Sequence, residues 1–257
     1  MNAKREIVVV PDVHGRTFWK DVVGITDCDI VFLGDYHDPY TKEEGINAYD
    51  SIQNFREIIE YAKGNKNVKL LYGNHDLGYT MGTRVCDVRH DYANHDIVRG
   101  LLLMNKDLFS IAYDKVINGK RFLLTHAGVL KMWANDVSCF AENVSCNDLF
   151  VADSLNNMFN DGVFHKYMAD RHFYRGGYCD AGSLVWADLR EWGPGSKTDG
   201  VVQVVGHSML VLNEPLVLAE KYGVCFMDVK TCSYIDSDGN IRLLNNDKLV
   251  EEHKFKN

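Results

Sequence analysis

The chain has 257 residues, with 28 Lys plus Arg against 36 Asp plus Glu, for a formal net charge of −8. Hydrophobic residues at 46% and charged residues at 25% supply a sizeable core and a solvated surface, which excludes disordered and fibrous classes. The acidic balance argues against a nucleic-acid backbone binder, while a small phosphorylated substrate stays open because a metal can supply positive charge locally.

The first apolar run, Ile7-Val8-Val9-Val10, leads into Pro11-Asp12-Val13-His14-Gly15. It is too short for a signal-peptide core and has no small-residue cleavage site behind it. Four further runs end the same way: Ile30 to Leu33 before Gly34-Asp35-Tyr36-His37-Asp38, Val68 to Leu71 before Gly73-Asn74-His75-Asp76, Phe122 to Leu124 before Thr125-His126-Ala127-Gly128, and Val201 to Val205 before Gly206-His207-Ser208. Short β-branched and apolar runs read as buried strands, and a glycine after a strand permits a sharp turn. Between them, Glu43 to Lys63 carries Ile46, Tyr49, Phe55, Ile58, Ile59 and Ala62, an amphipathic helical stripe closed by Gly64, and Tyr92 to Leu108 is a second predicted helix. Asn118-Gly119 between apolar runs signals a hairpin. From Val201 onward β-like runs alternate with turns, so the early half is βα-like and the late half β-rich. Met132 to Arg175, rich in Asn, Asp, Phe and Met, reads as inserted helices and loops of the kind that wall a site.

Seven cysteines, Cys86 among them, are scattered and never spaced C-x-x-C, which disfavours a disulfide framework or a zinc knuckle. The expectation is reduced thiols, mostly core filler, in a cytoplasmic protein, with no stretch near the roughly 18 to 20 apolar residues of a membrane span.

Ligands of α/β sheets gather at the carboxyl ends of strands, and there the sequence collects Asp12, His14, Asp35, Asp38, Asn74, His75, His126 and His207. Carboxylate, imidazole and amide oxygen form a mixed donor set that suits Mn, Fe, Zn or Ni better than Ca or Mg. If two cations lie about 3.5–4 Å apart, a carboxylate must bridge them, since an imidazole cannot. His37 is expected at the site rim. His90, His95, His165, His172 and His253 are expected to be ordinary histidines, and Arg171 to Arg175 a solvated loop.

Asp12-x-His14, Gly34-Asp35-x-x-Asp38, Gly73-Asn74-His75-Asp76, Thr125-His126-Ala127-Gly128 and Gly206-His207, in this order over residues 6 to 208, resemble the calcineurin-like metallophosphoesterase signature. The resemblance implies an α+β fold, a four-layer α/β/β/α sandwich of two mixed β-sheets flanked by helices, as a single domain over residues 1–257 with the region at about 132–175 inserted as a site wall. It implies two divalent metal ions, manganese foremost with Fe, Zn or Ni as alternatives. Asp12 and His14 would bind the first, Asp35 would bridge both, and Asn74, His126 and His207 would complete the second. His75 would be the general acid, with Asp38 holding its tautomer, and a metal-bridging hydroxide would attack phosphorus in line. The implied function is a phosphomonoesterase related to protein Ser/Thr phosphatases; a pyrophosphohydrolase of dinucleoside polyphosphates or nucleotides, and a non-catalytic metal-binding scaffold, are the alternatives. Substrates would be a phosphorylated small molecule, a nucleotide or a phosphoprotein, with no membrane or nucleic-acid partner.

The chain departs from that pattern in three places. Pro39 and Tyr40 follow Asp38 where the phosphatase branch has Arg-Gly, which leaves Arg16 and Arg190, the latter in Trp186-Ala187-Asp188-Leu189-Arg190, as candidate phosphate-binding residues. Asp76 stands where a Glu is usual. Gly206-His207-Ser208-Met209 has no second His, which places the chain nearer the protein Ser/Thr phosphatase and dinucleoside tetraphosphatase branch, with a more open first metal.

Overall fold

The computed structural model describes residues 4–82, 89–141, 144–211 and 214–253; Cys86 lies outside them. In chain order the strands are β1 (Arg5–Val10), β2 (Asp29–Phe32), β3 (Val68–Leu71), β4 (Phe109–Ser110), β5 (Ala112–Ile117), β6 (Lys120–Thr125), β7 (Val201–Val205), β8 (Leu216–Leu218), β9 (Val224–Phe226), β10 (Ser233–Asp236) and β11 (Ile241–Leu243). The α-helices are α1 (Thr41–Glu44), α2 (Ala48–Gly64), α3 (Asn74–Met81), α4 (His95–Met104), α5 (Lys131–Phe140) and α6 (Ala152–Asn160).

Two mixed sheets form. The first runs β11-β10-β1-β2-β3-β4, with β1 to β4 parallel and β10 and β11 antiparallel additions. The second runs β5-β6-β7-β9-β8, with β6, β7 and β9 parallel and an antiparallel strand at each edge. Alternation along each strand sorts the apolar side chains between two layers. Ile7, Val9, Val31, Leu33 and Leu71 of the first sheet join Phe122, Leu124, Val202, Val204 and Cys225 of the second in a core between the sheets. Val8, Val10, Ile30, Phe32 and Leu70 face the other way and share a cluster with Ile52, Phe55, Ile58 and Ile59 of α2. At roughly 1.5–3 kcal/mol for each fully buried aliphatic side chain, both faces of β1 are strongly committed. Buried central strands of this kind read as continuous apolar runs, which is why the sequence revealed them.

The hairpin at Asn118-Gly119 joins β5 to β6, with both turn residues left-handed at φ 47° and 74° as a type I′ turn needs. Two helix expectations change in detail. The run from Glu43 breaks because Gly45 ends α1 at φ 71° and the Asn47 side chain accepts from the Asp50 amide to start α2 afresh. Tyr49, expected on the buried stripe, is therefore 70% exposed. The predicted helix over Tyr92 to Leu108 is α4 between 3₁₀ turns at Tyr92–Asn94 and Lys106–Leu108. Within Met132 to Arg175 the described residues form α5, α6 and 3₁₀ turns at Cys146–Phe150 and Phe173–Arg175, anchored where Trp133 packs on Phe164. Among the described residues no helix is long and apolar enough to cross a membrane.

Candidate metal centre

The carboxyl ends of β1, β2, β3, β6 and β7 deliver Asp12 and His14, Asp35 and Asp38, Asn74 and His75, His126, and His207. All eight are buried. Backbone geometry aims them: His14, Asp35, Asp38 and His207 are left-handed, at φ 45°, 53°, 56° and 61°. Close approach of the loops also requires glycine. A Cβ on Gly73 would lie 2.1 Å from Asp35 Oδ1, and one on Gly206 would lie 2.1 Å from Asp12 Oδ1. Asp76, the last residue of its motif, ties the tips together by accepting from the amides of Gly73, Asp35 and Tyr36 at 2.8, 2.8 and 3.2 Å.

The hydrogen bonds fix the tautomers. His14 Nδ1 donates to the His37 carbonyl at 2.9 Å and His126 Nδ1 to the Leu33 carbonyl at 2.8 Å. A carbonyl can only accept, so in each neutral ring Nε2 carries a bare lone pair. His126 Nε2 nevertheless lies 2.9 Å from Asn74 Oδ1 and 3.5 Å from Asp35 Oδ2, while His14 Nε2 lies 3.5 Å from the same Asp35 oxygen. His207 Nδ1 stands 3.1 Å from both His126 Nε2 and Asn74 Oδ1, and its Nε2 is buried with no partner among the described residues. His207 Nδ1 brings at most one proton to this cluster of acceptors, too few to relieve their mutual repulsion, and a cation between them would remove it. The donor set fits transition-metal ions.

Donors of Asp12, Asp35 and His126 fall within 4.8 Å of one another, as do those of His14, Asp35 and His75. Asp35 is common to both groups. The grouping differs from the one the resemblance implies, in that Asp12 sits with His126 and His75 sits with His14. His75 is drawn to another task as well: its Nδ1 donates to Asp38 Oδ2 at 2.7 Å, and Asp38 Oδ1 accepts from Tyr79 Oη at 2.6 Å.

Burial, reinforced by His75 and Arg89, lowers His14 to about 3. Burial and the Arg175 guanidinium push His207 well below its ordinary value, so both rings are neutral, the ligand form, near pH 7. Burial alone would raise Asp35, but the surrounding imidazoles of His126, His75 and His14 and the hydrogen bond from the His75 amide outweigh it and hold this carboxyl at about 2. Burial also works against ionised Asp38, and the hydrogen bond from His75 overcomes it and lowers that group.

Asp12, His14, Asp35, Asn74, His75 and His207 open into a cavity of about 250 Å³ lined also by Tyr40, Arg89, Arg175, Trp186 and Asp228. Two arginines that the sequence did not single out for this purpose thus stand at the site. Arg89 lies 3.5 Å above the Tyr40 ring and donates to the Asp38 carbonyl. Arg175 pairs with Asp188 at 2.6 Å and donates to Ser208 Oγ at 3.0 Å, so the end of the expected solvated loop faces the cavity instead. The two expected arginines lie elsewhere. Arg16, 7% exposed, is held by Glu44 at 2.8 and 3.0 Å. Arg190 pairs with Asp188, stacks over Tyr174 and lines a separate cavity of about 440 Å³. His37 is buried rather than at the rim, bonded to Ser51 Oγ at 2.8 Å and to Asp91 at 3.2 Å.

Strand-end donors gathered between two stacked mixed sheets define a metal-centred phosphoesterase architecture. Residues 6–211 match the calcineurin-like phosphoesterase family, and the chain belongs to it. No curated protein matches the chain. Similar solved structures include a protein serine/threonine phosphatase from Saccharomyces cerevisiae with similarity to human phosphatase PP5, at 12% identity and TM-score 0.49 over 100% of this chain and 82% of that one. The E. coli phosphoesterase YfcE aligns at 11% identity and TM-score 0.39 over 95% of this chain and 96% of that one. The phosphatase domain of the Legionella effector WipB aligns at 16% identity and TM-score 0.35 over 55% of this chain and 54% of that one.

Proposed function

We propose that the protein is a phosphomonoesterase that works with two divalent cations, manganese foremost, held by Asp12, His14, Asp35, Asn74, His126 and His207. The observation that carries this reading is the convergence of bare imidazole nitrogens on carboxylate and amide oxygens at 2.9–3.5 Å. Bound there, the cations offset phosphoryl charge and acidify a water towards neutral pH. Arg89 and Arg175 supply guanidinium donors for the phosphoryl oxygens. Asp38 accepts the hydrogen bond of His75 Nδ1–H and stabilises the ring in its doubly protonated form, which leaves the Nε2–H to protonate the leaving oxygen. A cavity of about 250 Å³ suits one phosphoryl group and the start of its leaving group better than a dinucleoside chain. A cytoplasmic setting belongs to the same proposal, supported by the six described cysteines, all unpaired thiols.

Turnover of an aryl phosphate, a phosphopeptide and a dinucleoside tetraphosphate with added Mn²⁺ tests this reading. Hydrolysis of the monoesters is expected, and no turnover of any ester would leave only the scaffold. His75→Ala is expected to retain its metals and to lose about 10²–10⁴ in kcat, with the loss shrinking for acidic leaving groups that need no proton. A uniform loss across leaving groups would contradict the role given to His75.

A further inference from the structure

Five strand ends supply the donors described above, and a sixth points at the same place. Strand β9 runs parallel to β7, with Val205 opposite Phe226, and two residues beyond Phe226 the chain reaches Asp228. Asp228 is only 5% exposed and lines the cavity with Asp12, His14 and Asp35. Its backbone carbonyl accepts from Leu210, yet among the described residues no donor reaches its carboxylate. A carboxylate set into a cavity wall without a protein hydrogen bond relies on water, an ion or a ligand in the cavity for compensation. Its electrostatic neighbours sharpen the point. The charged groups that face it are Asp12 and Asp35 on one side and Arg16 and Arg175 on the other. Asp228 belongs to neither of the two compact donor groups, so it stands beside the cation pocket rather than within it.

We infer that Asp228 is a further working residue of this centre, a carboxylate whose negative charge strengthens cation binding on the Asp12 side of the pocket. The loop after Gly206-His207-Ser208 carries no second imidazole, and its Leu210 amide donates to the Asp228 carbonyl, so the two segments adjoin. Resting as it does on the metal-dependent reading, the inference makes a prediction in two opposite directions. Asp228→Asn keeps the shape and removes the charge. In protein stripped by a chelator this relieves repulsion with Asp12 and Asp35, so the melting temperature is expected to stay level or rise. In calorimetric titration with Mn²⁺, the affinity of one site is expected to fall by about 10–100-fold, the span for groups that support a metal without being its ligands. Equal Mn²⁺ affinity in wild type and Asp228→Asn overturns the inference alone. A lower melting temperature or failure to fold without metal also overturns it, because Asp228 is then a structural residue. A wild-type protein that takes up no Mn²⁺ overturns the metal-dependent reading with it.

Discussion

Four of the residues assigned to the centre hold a backbone conformation that side chains with a Cβ rarely adopt, and the strain is concentrated there rather than spread over the loops. His14, Asp35, Asp38 and His207 are left-handed, at a cost of about 1–3 kcal/mol each that only surrounding contacts can sustain. Asp and Asn tolerate that conformation best, which makes Asp35→Asn an informative change. It should leave the stripped protein folded, yet elemental analysis should find both metals depleted, since a neutral amide cannot serve two cations; unchanged metal content would count against the shared role of Asp35. The candidate ligands were legible because each follows an apolar run and a turn. Arg89 and Arg175 were not, because neither closes a strand and each arrives from a segment without periodicity. Asp228 was overlooked although Val224-Cys225-Phe226-Met227 before it is a short run of the same kind, and that run was the signal to use.

At the scale of elements, the parallel strands are fixed by burial and the turns by space. Two glycines of the site differ in what surrounds them, and their variants should differ accordingly. An added Cβ at Gly206 meets the end of the Asp12 side chain, which can swing aside. Turning it gives up the bond it accepts from the His207 amide at 3.1 Å, so Gly206→Ala is expected to fold with a modestly lower stripped melting temperature while losing metal affinity. At Gly34, φ is 111° and the Cβ would lie 2.4 Å from the Gly73 amide nitrogen, which is backbone and cannot move without β3. Overpacking costs typically about 1–3 kcal/mol, and positive φ adds to it, so Gly34→Ala should show a clearly lower melting temperature before any metal is added. Similar thermal behaviour of the two variants would contradict this distinction. The amphipathic pattern over Glu43 to Lys63 located α2 but concealed its start, because a glycine that stops one helix and an asparagine that caps the next leave the apolar spacing undisturbed.

Across the whole molecule, Arg16 after β1, Glu44 in α1 and Lys230 after β9 meet in one ion network, with Glu44 to Arg16 at 2.8 Å and to Lys230 at 2.7 Å. The hydrogen bond from Arg16 outweighs burial and, with Lys230, lowers Glu44 to about 2. A carboxyl depressed on folding stabilises above its unfolded value and loses that contribution as pH falls through the folded one. The stabilisation is thus full above about pH 4.5 and fades towards pH 2. In acid unfolding, Glu44→Gln should flatten that part of the stability curve relative to wild type; an unaltered slope would show the network contributes nothing. The order of a βα-like half and a β-rich half was readable in the sequence, but the return of β10 and β11 to the first sheet was not, since periodicity carries no information on which sheet a strand joins. That return has a kinetic consequence. Ile7 pairs with Ile235, and the His207 amide closes on Asp12. During synthesis the flank of the first strand must wait until the residues of β10, more than two hundred positions later, have left the ribosome, an unpaired edge meanwhile. Closing the first sheet is therefore a late, long-range step of folding, set by where β10 and β11 dock.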